Sequence, residues 1–196
     1  ATYELARIAK SWGDCPNKPF VVGASISVVC STLFYDPLGD TAQAIGLITT
    51  GLALISAFYL LYISPIRGIQ NTALSSLTIT GLISGTMIHA PLLRGLDNGF
   101  EWTILLLTVG FSTDTGAYVI GRCFGRLKLA PSISPGKTWE GAIAGSFCGI
   151  LACVVGASLL GLPISFIKSG CLGAVLAVTG HMGDLIESQL KRQAGV

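Results

Sequence analysis

The sequence predicts an all-α fold, a polytopic bundle of about six transmembrane helices that forms a single membrane-embedded domain over residues 1–196. Three observations predict it. The chain is 51% hydrophobic and only 11% charged, whereas a soluble domain averages about 25% charged residues, so the charges are too few to cover a water-facing surface. Six stretches are apolar over close to the ~20 residues needed to cross a hydrocarbon core about 30 Å thick. Lysine and arginine also segregate to alternate connections between those stretches, as they do when one side of a membrane is cytoplasmic.

Ahead of the first stretch, residues 1–18 intersperse Tyr3, Leu5, Ala6, Ile8, Ala9 and Trp12 with Arg7 and Lys10. This is the composition of a short interfacial segment on the cytoplasmic face. The predicted spans cover residues 19–35, 42–63, 72–93, 102–121, 141–162 and 169–186; the first is short and the last ends in charged residues. With the N-terminus inside, the cytoplasmic side holds ten cations: Arg7, Lys10, Lys18, Arg67, Arg122, Arg126, Lys128, Lys137, Lys191 and Arg192. The opposite side holds Arg94 and Lys168. Both chain ends are therefore expected in the cytoplasm.

The net charge of +2 creates no global field for nucleic acid, so that class of partner is excluded and any use of positive charge is local. Six cysteines, Cys15, Cys30, Cys123, Cys148, Cys153 and Cys171, form no C-x-x-C pair. They read as small buried thiols rather than disulfides or zinc ligands. The chain opens on Ala1 without a basic region leading into an apolar stretch, so no signal peptide is expected and the chain reads as a fragment.

Helices in lipid associate through small residues that let backbones approach closely. Gly141, Gly145, Gly149, Cys153, Ala157 and Gly161 recur every four residues along the fifth span, predicting a face packed on another helix. Gly81, Gly85 and His89 repeat the spacing on the third.

A charge inside a span costs about 2.5–3.5 kcal/mol on insertion scales, so an intramembrane acid is a functional candidate. Asp114 lies about two turns before the cytoplasmic end of the fourth span, and Tyr118, Gly121 and Arg122 share its helical face. It either lines a polar cavity open to the cytoplasm or is neutralised by Arg122 at the interface. The following basic cytoplasmic loop, residues 122–140, sets Arg122, Arg126, Lys128 and Lys137 against Glu140 alone. Within it, Ser134 is expected to cap a helix whose first position is Pro135, leaving N–H groups and a positive dipole end beside Lys137 and Thr138. Such an arrangement suits a phosphate. Gly136-Lys137-Thr138 is not a P-loop, because Pro131 stands where the first glycine is required and no βαβ unit precedes it. At the end of the sixth span, His181, Asp184, Ser188 and Lys191 fall on one helical face with Glu187 a turn from Lys191. This stripe either gathers a metal and phosphates or is an ordinary helix end with a Glu187–Lys191 ion pair. His181 alone fits a packed or hydrogen-bonded role.

Asp114-Thr115-Gly116-Ala117-Tyr118 through Gly121-Arg122, the string Ser132-Ile133-Ser134-Pro135-Gly136-Lys137-Thr138-Trp139-Glu140-Gly141, and Gly183-Asp184-Leu185-Ile186-Glu187-Ser188 through Lys191-Arg192 together resemble the phosphatidate cytidylyltransferase family. The match covers about a third of the chain, and S-P-x-K-T-W-E-G is its most specific part. The family pattern continues past Lys191 and Arg192 into a Lys-Asp pair, so a C-terminal catalytic segment is expected to be missing here. The resemblance implies transfer of a cytidylyl group from CTP to phosphatidic acid with Mg²⁺, giving CDP-diacylglycerol and pyrophosphate, at the inner (plasma) membrane of the cell. It assigns phosphates to Lys137 and Arg122, aided by donors at the Ser134 helix start and by Thr138 and Ser188. Lys191 and Arg192 take the lipid phosphate or pyrophosphate. Asp184 and Asp114 take Mg²⁺, and Glu140 and Glu187 orient the basic residues. The partners implied are CTP, phosphatidic acid and the lipid bilayer, with a homodimer compatible with all of them. A transporter or proton-coupled channel using Asp114 and His181, a kinase acting on a lipid alcohol, and an inactive fragment are the competing readings.

Overall fold

The structure, a computed structural model, describes residues 18–31, 48, 51, 55 and 72–193. In chain order these form α1 (Lys18–Ser31), α2 (Thr72–Met87), α3 (His89–Arg94), α4 (Gly99–Phe124), β1 (Lys128–Ala130), β2 (Ser134–Thr138), α5 (Trp139–Leu159) and α6 (Phe166–Gln193). Four helical stretches are long and apolar enough to cross a membrane: Ser76–Arg94, Gly99–Phe124, Trp139–Leu159 and Phe166–Arg192. They correspond to the third through sixth predicted spans. The protein is an α-helical, polytopic membrane protein. The expected span over residues 42–63 and the interfacial segment over residues 1–18 lie almost wholly outside the described residues, and α1 is the described part of the first span.

Two compact units divide the chain, Ala1–Asp97 with Leu190–Val196, and Asn98–Gln189. In the first, Val21 of α1 and Ile79 of α2 are buried together and Ile83 packs against them. The break between α2 and α3 follows from Pro91, which has no N–H for the Met87 carbonyl and whose ring crowds it. Gly85 is buried, whereas His89 is exposed and does not extend a small-residue face.

The second unit is built on the glycine stripe of α5. Gly141, Gly145, Gly149, Cys153 and Ala157 are all buried, and their neighbours are α4 and α6. A Cβ on Gly145 would stand 2.6 Å from the Thr113 carbonyl oxygen, and one on Gly141 would stand 2.7 Å from that of Ala117. Gly149 meets the Thr113 hydroxyl of α4 and, at 3.4 Å from an added Cβ, Ala177 of α6. Gly173 of α6 packs in turn on Cys153. The last predicted member of the stripe departs from it. Gly161 lies beyond α5 with φ +65, and the Leu162 N–H to Ala157 carbonyl bond of 3.0 Å closes the helix around it. The left-handed conformation that ends the helix is the one glycine adopts without a Cβ penalty, so Gly161 serves a turn rather than the packed face.

Large apolar side chains point the other way. Leu107, Phe111, Ile143, Phe147, Leu151, Leu159 and Val175 are exposed while glycine, alanine, cysteine and threonine fill the contacts. That inversion suits a lipid solvent, in which association depends on close backbone packing. It also places Cys123 and Cys171 on exposed faces, contrary to the expectation of burial, which Cys153 meets and Cys148 meets partly. Leu105, Val109, Cys153, Ala157 and Leu162 form the buried cluster at the far end of this unit from the hairpin, with Trp102 packed against it.

Candidate active site

The basic loop is not irregular: it folds as an antiparallel hairpin, pairing Lys128 with Thr138 and Ala130 with Ser134. Its start depends on Gly125, where a Cβ would press to 2.7 Å from both the methyl and the hydroxyl of Thr138. The residues at 134–138 that sequence reasoning assigned to a helix start are therefore β2. Ser134 is not the cap. Thr138 is: its backbone is extended (φ -126, ψ 154) and its hydroxyl accepts from the Gly141 N–H at 3.2 Å. The physical reason lies in Pro135-Gly136, which resists helix, while Thr138 stands three residues before Gly141 with Glu140 in the first turn, the pattern that starts α5.

This relocation changes what the helix start can bind. The Trp139 N–H donates to the Leu127 carbonyl at 2.9 Å and the Gly141 N–H to Thr138, so two of the four initial donors are already used. Glu140 likewise turns to the backbone. Its carboxylate accepts from the Leu127 N–H at 3.1 and 3.2 Å, tying the start of β1 to α5, with the Arg126 charge nearby. Side chains are therefore the larger supply of donors at this site.

Those side chains converge. A cavity of about 650 Å³ is walled by Asp114, Tyr118 and Arg122 from α4, by Lys128, Ser134, Lys137 and Thr138 from the hairpin, and by His181 and Asp184 from α6. Its volume lies within the range of small-molecule sites, about 300–1,000 Å³. Three cations face two carboxylates. Lys137 Nζ lies 3.0 Å from Asp184 Oδ2, with side chains 27% and 53% exposed. An ion pair that open to water is worth about 0–1 kcal/mol, so either partner can be released to a ligand. Arg122 Nη1 donates to the Tyr118 hydroxyl at 2.6 Å, its guanidinium carbon 5.9 Å from the ring centroid. Asp114 is exposed at the cavity and has no ion-pair partner among the described residues, so pairing with Arg122 does not explain it. His181 Nε2 lies 3.1 Å from the Ala142 carbonyl. A carbonyl only accepts, so Nε2 carries the proton in that bond.

Glu187 and Ser188 lie further along α6 and are not among the residues lining the cavity. Lys191 and Arg192 occupy the last turn of α6 and belong to the other compact unit. Tyr118, Lys128 and His181 are the cavity residues with polar side chains that the sequence-based site omitted. The signal for Tyr118 was present in its four-residue spacing from Arg122; for Lys128 it required the strand pairing. Among the described residues no group of three or more His, Cys, Asp or Glu could hold a metal. Asp114 and Asp184 in one cavity nevertheless match the needs of Mg²⁺, which takes one or two carboxylates beside substrate phosphates and keeps waters.

The chain is similar to several curated proteins named phosphatidate cytidylyltransferase. It is 36% identical to that of Mycobacterium bovis over 112 residues, 57% of this chain and 35% of the relative. With that of Brucella suis it shares 40% over 109 residues, 55% of this chain and 40% of the relative. With that of Bacillus subtilis it shares 32% over 160 residues, 79% of this chain and 59% of the relative. The chain thus spans between a third and three-fifths of the length of these relatives. No solved structure matches it. The family model described as the cytidylyltransferase family matches residues 1–196, and with the cavity walled by its three motif segments the chain belongs to that family.

Proposed function

We propose that the protein is a phosphatidate cytidylyltransferase, which transfers the cytidylyl group of CTP to phosphatidic acid. The observation that carries this reading is the convergence of Asp114, Lys137 and Asp184, from three elements distant in sequence, on one cation-rich cavity. The relatives' shared name supports the substrates.

In the reaction, a phosphate oxygen of phosphatidic acid attacks the α-phosphorus of CTP. The bond from that phosphorus to the oxygen bridging to the β-phosphate breaks, and its electrons leave with pyrophosphate. No covalent intermediate on the protein is needed, so the chain must mainly position two anions and neutralise charge on the leaving group. Lys137 leaves Asp184 to bind the triphosphate, while Arg122, oriented by the Tyr118 hydroxyl, and Lys128 bind further phosphate oxygens. Ser134 and Thr138 donate or accept at the cavity wall. Asp114 and Asp184 would hold Mg²⁺, which supplies charge neutralisation at the phosphates when bound. Lys191 and Arg192 are assigned the lipid phosphate on the sequence resemblance alone. The cation asymmetry supports a plasma-membrane orientation with the cavity open to the cytoplasm and to the inner leaflet.

The test is incubation of membranes containing the full-length protein with labelled CTP and phosphatidic acid. CDP-diacylglycerol and pyrophosphate are expected. Release of CDP with a newly phosphorylated alcohol would identify a lipid kinase instead, and absence of turnover would contradict the proposal.

A further inference from the structure

The cavity is lined by Lys128, Leu129, Ser134, Gly136, Lys137 and Thr138 of the hairpin, whereas Leu127 and Trp139 at the hairpin's base, where it joins the two helices, do not reach it. Lys128 and Thr138 are cross-strand partners and both line it. Residues paired across an antiparallel rung share a face, and the next rung toward the helices stands at the hairpin's base. That next rung is Leu127 and Trp139, joined by the Trp139 N–H to Leu127 carbonyl bond of 2.9 Å. Neither lines the cavity, and Leu127 is 66% and Trp139 53% exposed. Phe124, which ends α4, is 67% exposed, and Arg126, between Phe124 and Leu127, is exposed and outside the cavity.

An exposed Phe, Leu and Trp on a water-facing loop would form an unsupported apolar patch. Here they stand where two span-length helices end, since α4 finishes at Phe124 and α5 begins at Trp139. That is the depth of the headgroup layer, where Trp and cationic side chains concentrate.

We infer that the Leu127–Trp139 base of the β1–β2 hairpin docks on the anionic interfacial layer of the bilayer, with Trp139, Leu127 and Phe124 in the acyl boundary and Arg126 on lipid phosphates. The charge and the continuity with both spans select a lipid surface over a second copy or a soluble partner. The hairpin then fixes the cavity mouth at headgroup depth and enriches anionic lipid beside Lys128. This inference rests on the membrane-spanning reading of α4 and α5 and does not require cytidylyl transfer.

Depth-dependent fluorescence quenching tests it without turnover. The full-length protein carrying Trp12→Phe and Trp102→Phe, with any tryptophan outside these 196 residues also replaced by Phe, retains Trp139 as reporter. It is reconstituted in phosphatidylcholine vesicles containing a minor fraction of phosphatidic acid, with bromines placed near the headgroup or deep in the chains of either lipid. Shallow bromines are expected to quench Trp139 more than deep ones. At equal mole fraction, brominated phosphatidic acid should quench about three- to fivefold more effectively than brominated phosphatidylcholine, a preference that Arg126→Gln reduces. Because Trp102 packs on the buried cluster, the loss of quenching between the native protein and Trp139→Phe provides the same reading without core substitutions. Emission at the water-exposed limit with no quenching would overturn the inference, as would shielded emission insensitive to every brominated lipid, the sign of a protein partner. Failure of the catalytic assay alone would leave the quenching result unchanged.

Discussion

In the proposed reaction, Lys137 is the side chain on which the chemistry depends most. It bridges the hairpin to α6 through Asp184 at 3.0 Å and is the cavity cation held in that pairing. Lys137→Met keeps the aliphatic stem and removes the charge. Loss of one preorganised electrostatic contact at a reacting centre lowers kcat by about 10²–10³, and a fall of that size in CDP-diacylglycerol formation by the full-length protein is expected; near-normal turnover would remove Lys137 from the phosphate site. Much of this was legible from residue types. The spacing of Asp114, Tyr118 and Arg122 placed them on one face, and that face lines the cavity. The capping role was misread because both Ser134 and Thr138 have capping hydroxyls, and one-dimensional spacing cannot report that Pro135-Gly136 continues as a strand paired to Lys128. The hydrogen bond of Glu140 was hidden for the same reason, since its partner, the Leu127 N–H, is brought to it by the hairpin.

Among the elements, the contact between α4 and α5 positions Asp114 relative to the hairpin, and its tolerance for side chains is set by glycine. Gly145→Leu would force bulk into the 2.6 Å approach to the Thr113 carbonyl. Overpacking of this kind costs about 1–3 kcal/mol, read as a lowered unfolding temperature in detergent. Gly110, in the facing helix α4, has no atom within 4 Å of an added Cβ. Gly110→Ala therefore leaves stability unchanged or raises it by up to about 1 kcal/mol through helix propensity. Equal destabilisation by both would show that the stripe has no special packing role. The four-residue glycine period revealed this face in the sequence because close helix approach in lipid requires it. The period alone could not reveal where the face stops. Gly161 continues the spacing but terminates the helix, and the hairpin, only three and five residues per strand, carries too short a pattern to stand out beside charged loop residues.

For the molecule as a whole, an α-helical membrane protein was apparent from composition, since 11% charge is too little to cover a water-facing surface, whereas the outward placement of the large apolar side chains emerged only in the structure. The convergence of the distant motifs was expected from the family resemblance, but its geometry was not legible, because it depends on the α4–α5 and α5–α6 packing that brings Asp114, Lys137 and Asp184 to one cavity. Photoaffinity labelling with an azido-cytidine triphosphate, followed by peptide mapping of the full-length protein, tests that convergence most directly. Label competed by CTP is expected in peptides holding the cavity walls, within residues 114–142 and 181–184. Label confined to other segments, or insensitive to CTP, would contradict a nucleotide site built from these three elements.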